Sequence, residues 1–393
     1  MRRRLSLIVI LLTILATLPV RTYSIPAFAR KYQISCQVCH APAMPRLKTF
    51  GDDFAKNGFR LTDYESPRYY IPAGDDRLSL FRELPLAIRV DGFASFNFRN
   101  DKAVDFKAPF VMKILSGGEI SDRISYYFYF LLNETGKVAG VEDAFLMYSN
   151  LFRTGIDIYI GQFQASDPLF KSELRYTLEP YRIYDAMPGN SSANLKYDRG
   201  IMLSKAFSTG TTVVFELLNG YGLSEAVEDL QFDKDKYKNV MLRINQAAGP
   251  VGIGFFGYLG KEVVQSGPPL ITNSIQMVGP DFSINLDDRF VFNLQYLFRE
   301  DSDVFSLLGV RRNVTTRGGF VELIFSPKGD MSTWYLTGLI NLVDSELDEL
   351  DYSSATIHGG YLIRRNVRLV GEYTHQLTGE KYGRLSAGFV TAF

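Results

Sequence analysis

Cysteine is almost missing from this chain. Its 393 residues hold two, Cys36 and Cys39, and nothing beyond position 39 adds another. Two thiols exclude a disulfide scaffold for a protein of this size. Histidine is nearly as rare, with three residues, so a Cys/His zinc site at Cys36, Cys39 and His40 lacks a fourth ligand until His358. A surplus of charge is missing too: Lys plus Arg and Asp plus Glu each number 43. That balance excludes the basic footprint that nucleic-acid binding requires. Past the N-terminal region no apolar run reaches the ~20 residues of a spanning helix. What is abundant is aromatic, with 30 Phe and 23 Tyr beside a single Trp, in a chain that is 46% hydrophobic. Two classes fit that combination, a large soluble β protein and a membrane barrel.

Arg2, Arg3 and Arg4 precede an apolar run from Leu5 to Leu18, and small residues follow. This is the pattern of a secretory signal over 1–24, with cleavage after Ser24 or Ala29, and the run is too short for an anchor. The expected order after it is a small basic, helix-compatible segment at 30–61, a Pro- and Gly-broken linker at 62–83, and one large unit at 84–393.

That unit alternates. In 84–98, Leu86, Ile88, Val90, Ala94 and Phe96 share one side, and Arg89, Asp91, Ser95 and Asn97 share the other. Period two is the signature of a strand with one apolar and one polar face. Similar runs recur near 106–115, 123–133, 141–149, 155–163, 195–206, 211–219, 237–246 and 251–260. They continue near 271–285, 289–299, 314–325, 332–343, 354–363, 366–376 and 382–393, which makes sixteen strands in all. Every second link is short, as in "FSTG", "QAAGP" and "LDD", while the others are long, above all 164–194 and 218–237. Short turns on one rim and long loops on the other predict an antiparallel sixteen-stranded outer-membrane β-barrel. The even count returns both ends of the barrel to the short-turn, periplasmic rim. The last strand ends on Phe393, whose face carries Leu385, Ala387, Phe389 and Thr391. A β-helix would alternate as well, but no short repeat is present. The lumen is expected to be polar, walled by Arg89, Asp91, Lys107, Lys113, Asp143, Arg368, Glu372 and Arg384.

Both cysteines fall in C-x-x-C-H, Cys36 to His40, the attachment signal of a c-type haem in an exported protein. Two thioethers tether the porphyrin, and the adjacent imidazole meets the iron. A redox dithiol would need a thioredoxin-like βαβ context, which the flanks do not supply. For the sixth ligand the sequence offers several residues. Met44 is nearest, but four residues beyond His40 it would share a helical face with it and lie on the proximal side. His358 and Met241 fall on lumen-facing positions, Met187 lies in the longest loop, and His375 sits at the loop end of its strand. An open sixth position is the remaining expectation.

Around this motif stand Pro26-Ala27-Phe28-Ala29-Arg30, Pro45-Arg46-Leu47, Phe50-Gly51, Phe54 and Asn57-Gly58. With these residues the chain resembles the fused outer-membrane cytochrome–porins, typified by the monohaem iron-oxidising cytochromes of acidophilic and neutrophilic bacteria. The resemblance implies one covalent haem c on Cys36, Cys39 and His40, carried by a segment that plugs the barrel. It implies a conduit that passes electrons between an extracellular donor or acceptor, such as ferrous iron, and a periplasmic carrier such as a soluble cytochrome. It also implies a Gram-negative outer membrane, with the N-terminus on the periplasmic side. Two other functions fit the residues less well: a passive solute porin with a haem-bearing plug, and a haem enzyme with a five-coordinate iron.

Overall fold

The computed structural model describes residues 27–61, 84–99, 104–166, 168–226, 230–265 and 269–393. The expected signal (1–24) and linker (62–83) lie outside the described residues. Sixteen strands form: β1 (Leu86–Asn97), β2 (Val104–Ser121), β3 (Ile124–Glu134), β4 (Gly140–Leu151), β5 (Ile156–Gln164), β6 (Tyr197–Ala206), β7 (Thr211–Leu218) and β8 (Asn239–Ala248). The second half of the ring is β9 (Val251–Gln265), β10 (Ile271–Leu286), β11 (Phe290–Phe305), β12 (Arg311–Phe325), β13 (Trp334–Ser345), β14 (Tyr352–Arg364), β15 (Val367–Gln376) and β16 (Tyr382–Ala392). Each pairs with its sequence neighbour, and β1 closes on β16 with Arg89 opposite Ala392 and Asn97 opposite Arg384. Closure removes the unpaired strand edges that no bilayer could satisfy.

Every expected strand is present. β2, β9 and β11 run several residues longer than their alternating cores, because ladder hydrogen bonding continues where side chains no longer need to meet lipid. β13 shows the alternation plainly. Leu336, Ile340 and Leu342 are exposed on the outside, while Tyr335, Thr337, Leu339 and Asn341 are buried inside. Ile340, Leu342 and Ile357 are each more than half exposed. A soluble sandwich would turn those side chains toward one another; here they form an outward apolar band suited to lipid.

The lumen differs from the expected polar wall. Tyr159, Phe163, Phe256, Phe320 and Leu339 face it, all buried. The reason is the long loop between Gln164 and Tyr197, which folds inward and brings its own apolar side chains, among them Leu169, Tyr181, Ile183 and Tyr184. Water is excluded along that contact, so aromatic wall residues become favourable there. Tyr181 stacks on Phe320 with ring centroids 3.9 Å apart. At its far end the loop is tied by Arg299, which donates to the carbonyl oxygens of Ala186 (2.8 Å) and Ala193 (2.7 Å) and pairs with Asp301 at 2.6 Å. The expected charged positions are inside, and they pair: Arg89 with Asp91, Lys113 with Glu173, Asp143 with Lys171, Arg384 with Glu179.

Among the described residues ahead of the barrel, three short helices form, α1 (Ala27–Tyr32), α2 (Cys36–Cys39) and α3 (Thr49–Lys56). Phe28, Tyr32, Phe54 and Phe59 make their small core, and Phe28 stacks on Phe59 at 5.0 Å. The unit docks on the short-turn rim. Phe59 stacks on Tyr127 of β3 at 5.1 Å. Gln37 donates to the Asp330 carbonyl oxygen at 3.0 Å, Lys48 pairs with the Asp330 carboxylate at 3.1 Å, and Arg365 donates to the Pro42 carbonyl oxygen at 3.3 Å. Asp330 and Arg365 belong to the β12–β13 and β14–β15 turns, so the helical unit sits inside the mouth that the short turns frame.

Candidate functional site

Ser35 starts α2: its Oγ accepts from the Gln37 N–H at 3.4 Å, satisfying a donor that the first turn leaves open. One turn of helix brings Cys36 and Cys39, three residues apart, to one side. Both thiols are free. Burial raises both above the ordinary thiol value, Cys39 to about 11. A reactive dithiol needs the opposite shift, toward thiolate.

The helix stops at Cys39. His40 is extended (φ −118°, ψ 139°) and forms a bridge with Leu47, which folds 40–47 back on itself. This corrects the reason expected for Met44, not its side: no helix relates it to His40, because Pro42 and Pro45 cannot donate to a helical ladder. His40 Nδ1 lies 3.0 Å from the Arg46 carbonyl oxygen. A carbonyl only accepts, so Nδ1 carries the proton and Nε2 keeps its lone pair. Burial lowers the imidazole below its ordinary value, with the Arg46 and Pro45 carbonyls opposing, so the ring is neutral. α3 closes over this turn at Gly51, where a Cβ would come within 2.3 Å of the Cys39 carbonyl oxygen. Only glycine allows that approach.

These residues open onto a cavity of about 610 Å³ beneath the inward loop. Its volume falls within the ~300–1,000 Å³ of cofactor-sized sites. Cys36, Cys39 and His40 line it from the plug; Tyr181 of the loop and Met202 of β6 line it from the barrel side. Among the described residues no group of three or more His, Cys, Asp or Glu side chains is placed to hold a metal ion.

None of His358, Met187 and Met241 lines the cavity. His358 does face the lumen, as its register implies, but its Nδ1 is 3.1 Å from Glu372 and its Nε2 3.4 Å from the Tyr335 hydroxyl. Met187 is exposed in the loop, where its sulphur accepts from Asn194. Met241 is buried in the lumen core. His375 stacks on Tyr373, as a loop-end residue should. The sequence reading missed Met202, although the alternation that placed Met241 inside places Met202 there equally. It gives no role of its own to Arg46, 3.6 Å from Glu322, and does not single out Tyr176, whose loop position carries no periodic signal.

Comparison with solved structures finds porins. The anion-selective porin of Comamonas acidovorans superposes with a TM-score of 0.55 at 11% identity, over 79% of this chain and 99% of that one. OmpT of Vibrio cholerae gives 0.54 at 10%, over 79% and 99%. OmpF of Salmonella typhi gives 0.53 at 10%, over 79% and 97%. At such identities the likeness is one of fold, a porin-like outer-membrane barrel. No family model matches the chain, and no curated protein matches it.

Proposed function

We propose that this chain is an outer-membrane electron conduit carrying one haem c on Cys36 and Cys39, with His40 as the proximal ligand. The observation that carries this reading is the donor set at the cavity: two thiols on one helical turn, then a neutral imidazole whose Nε2 is available, all facing a cofactor-sized space. A c-type haem takes this set, and a carbonyl oxygen that accepts from Nδ1, here that of Arg46, is a usual way to aim such a ring. When bound, the haem would supply a one-electron couple at membrane depth. The protein's own contribution is to hold the ligand in one tautomer, to shield the site from lipid with a closed wall, and to separate it from the long-loop mouth with the inward loop. On this reading the short-turn rim faces the periplasm. The redox partners are then an extracellular donor or acceptor such as ferrous iron and a periplasmic carrier such as a soluble cytochrome.

The test is expression with a c-type maturation system. Haem that stays with the chain through denaturation, and is lost in Cys36→Ser/Cys39→Ser, supports the reading; a folded barrel without haem overturns it. Stopped-flow mixing with ferrous iron then examines the donor, and no haem reduction at any pH removes iron from that role.

The porin likeness favours a second reading, a passive solute channel with a haem-bearing plug. Bilayer conductance separates the two: a closed barrel belongs to the conduit, an open ion-selective one to the porin.

A further inference from the structure

We propose that Met202 is the sixth, axial ligand of the haem, opposite His40. This inference rests on the haem reading above. Iron in a c-type haem takes nitrogen or sulphur at its second axial position, and a thioether raises its potential. Among the described residues the imidazole and sulphur donors lining the cavity are few: Cys36, Cys39, His40, Met44 and Met202. The cysteines are committed to the tether. His358, the other buried imidazole, is held by Glu372 and Tyr335 outside the cavity. Lys113 and Lys171 also reach the space, but each is bound to a carboxylate, Glu173 at 2.6 Å and Asp143 at 3.3 Å. Two thioethers remain.

Their places in the fold separate them. Met44 lies in the 40–47 turn-back closed by His40 and Leu47, so it travels with the proximal ligand. The backbone on either side of Pro42 is pinned by the Tyr176 hydroxyl, which holds that turn in place. Met202 comes from the other side of the ring. The stretch around His40 is anchored to Glu322 of β12, to Asp330 in the β12–β13 turn and to Arg365 in the β14–β15 turn. In a closed ring of sixteen, β6 stands eight strands from β14, the farthest a strand can be. Met202 pairs with Tyr159 and Glu216 across its neighbours and is buried on the lumen side, while Ile201 beside it is exposed to lipid. The cavity therefore lies between an imidazole on the β12–β15 side and a thioether on the β6 wall.

The experiment is optical and electron paramagnetic spectroscopy of the purified, haem-loaded full chain, with Met202→Leu and Met44→Leu. Pyridine haemochrome analysis first establishes that haem is attached, so failure of the haem reading is recognised separately. The expected wild-type ferric spectrum is low-spin with the weak red band of thioether ligation. Met202→Leu loses the band, turns high-spin and lowers the reduction potential; Met44→Leu keeps the wild-type spectrum. A high-spin wild type, absence of the band, its survival in Met202→Leu, or its loss in Met44→Leu overturns the proposal. Should Met202→Leu not fold, the Met44→Leu spectrum decides by itself, since these two are the thioethers at the cavity.

Discussion

The Tyr176 hydroxyl lies 2.9 Å from the carbonyl oxygen of Ala41, the residue that follows His40. It lies 3.0 Å from the Ala43 carbonyl oxygen and accepts from the Ala43 N–H at 3.3 Å. One proton serves two carbonyls, so the loop and the plug are joined at a single buried point. The ring is in turn packed on Tyr335, 4.2 Å between centroids, and Arg368 donates to the Tyr335 hydroxyl at 2.5 Å.

Tyr176→Phe should therefore loosen the plug without unfolding the barrel. Leaving buried backbone groups unpaired costs about 1–3 kcal/mol. Limited proteolysis from the short-turn side should cleave the 40–61 stretch at least several-fold faster than in the wild type. Equal rates would mean that the hydroxyl does not hold the plug.

Arg299 plays the corresponding part at the other end of the loop. Arg299→Ala leaves Asp301 buried without its charged partner, with the Asn273 amide still donating to it, and removes donors from Ala186, Ala193 and Ser191. Breaking a buried pair from one side costs about 3–5 kcal/mol. Single-channel recording should show frequent openings in the variant and few in the parent. A variant as quiet as the parent would contradict this assignment.

Glu173 should make the loop sensitive to acid. Burial opposes its charge, but Lys113, Arg175 and a hydrogen bond from Tyr129 (2.6 Å) outweigh that and hold the carboxyl well below the usual carboxylate range. A depressed carboxylate stabilises fully above its unfolded value of ~4.3 and loses that contribution as pH falls through the folded one. Channel openings should accordingly increase in strong acid, and Glu173→Gln should open at neutral pH and respond less to acid. A flat profile in the parent would rule out this anchor.

Gly51→Ala tests the close approach of α3 to α2. Its Cβ would meet the Cys39 carbonyl oxygen, which is backbone and cannot swing aside. On the haem reading, the variant should insert as a heat-modifiable barrel yet retain little covalent haem, as read by haem staining after denaturing electrophoresis. Wild-type staining would show that the turn tolerates the shift.

Much of this architecture is readable along the chain because a strand reports its two faces residue by residue. Ile340 and Leu342 outside with Leu339 and Asn341 inside needs only period two, and the same rule placed Met241 and His358 in the lumen. The C-x-x-C-H spacing is equally local. For Met44 the helical reason fails locally too, since the helix ends at Cys39 and Pro42 and Pro45 follow, while its place beside His40 stands in the 40–47 turn-back.

What the amino-acid order determined by itself is the barrel, its strand count, its greasy exterior and the C-x-x-C-H spacing of Cys36, Cys39 and His40, since each depends on neighbours in sequence. Only the tertiary structure decided what meets those residues across the lumen. Periodicity says that a side chain points inward, never how deep it sits or which of sixteen walls it faces. The inward loop obeys no period at all; its path is set by contacts such as Tyr181 on Phe320 and Arg299 on Ala186, between residues more than a hundred positions apart.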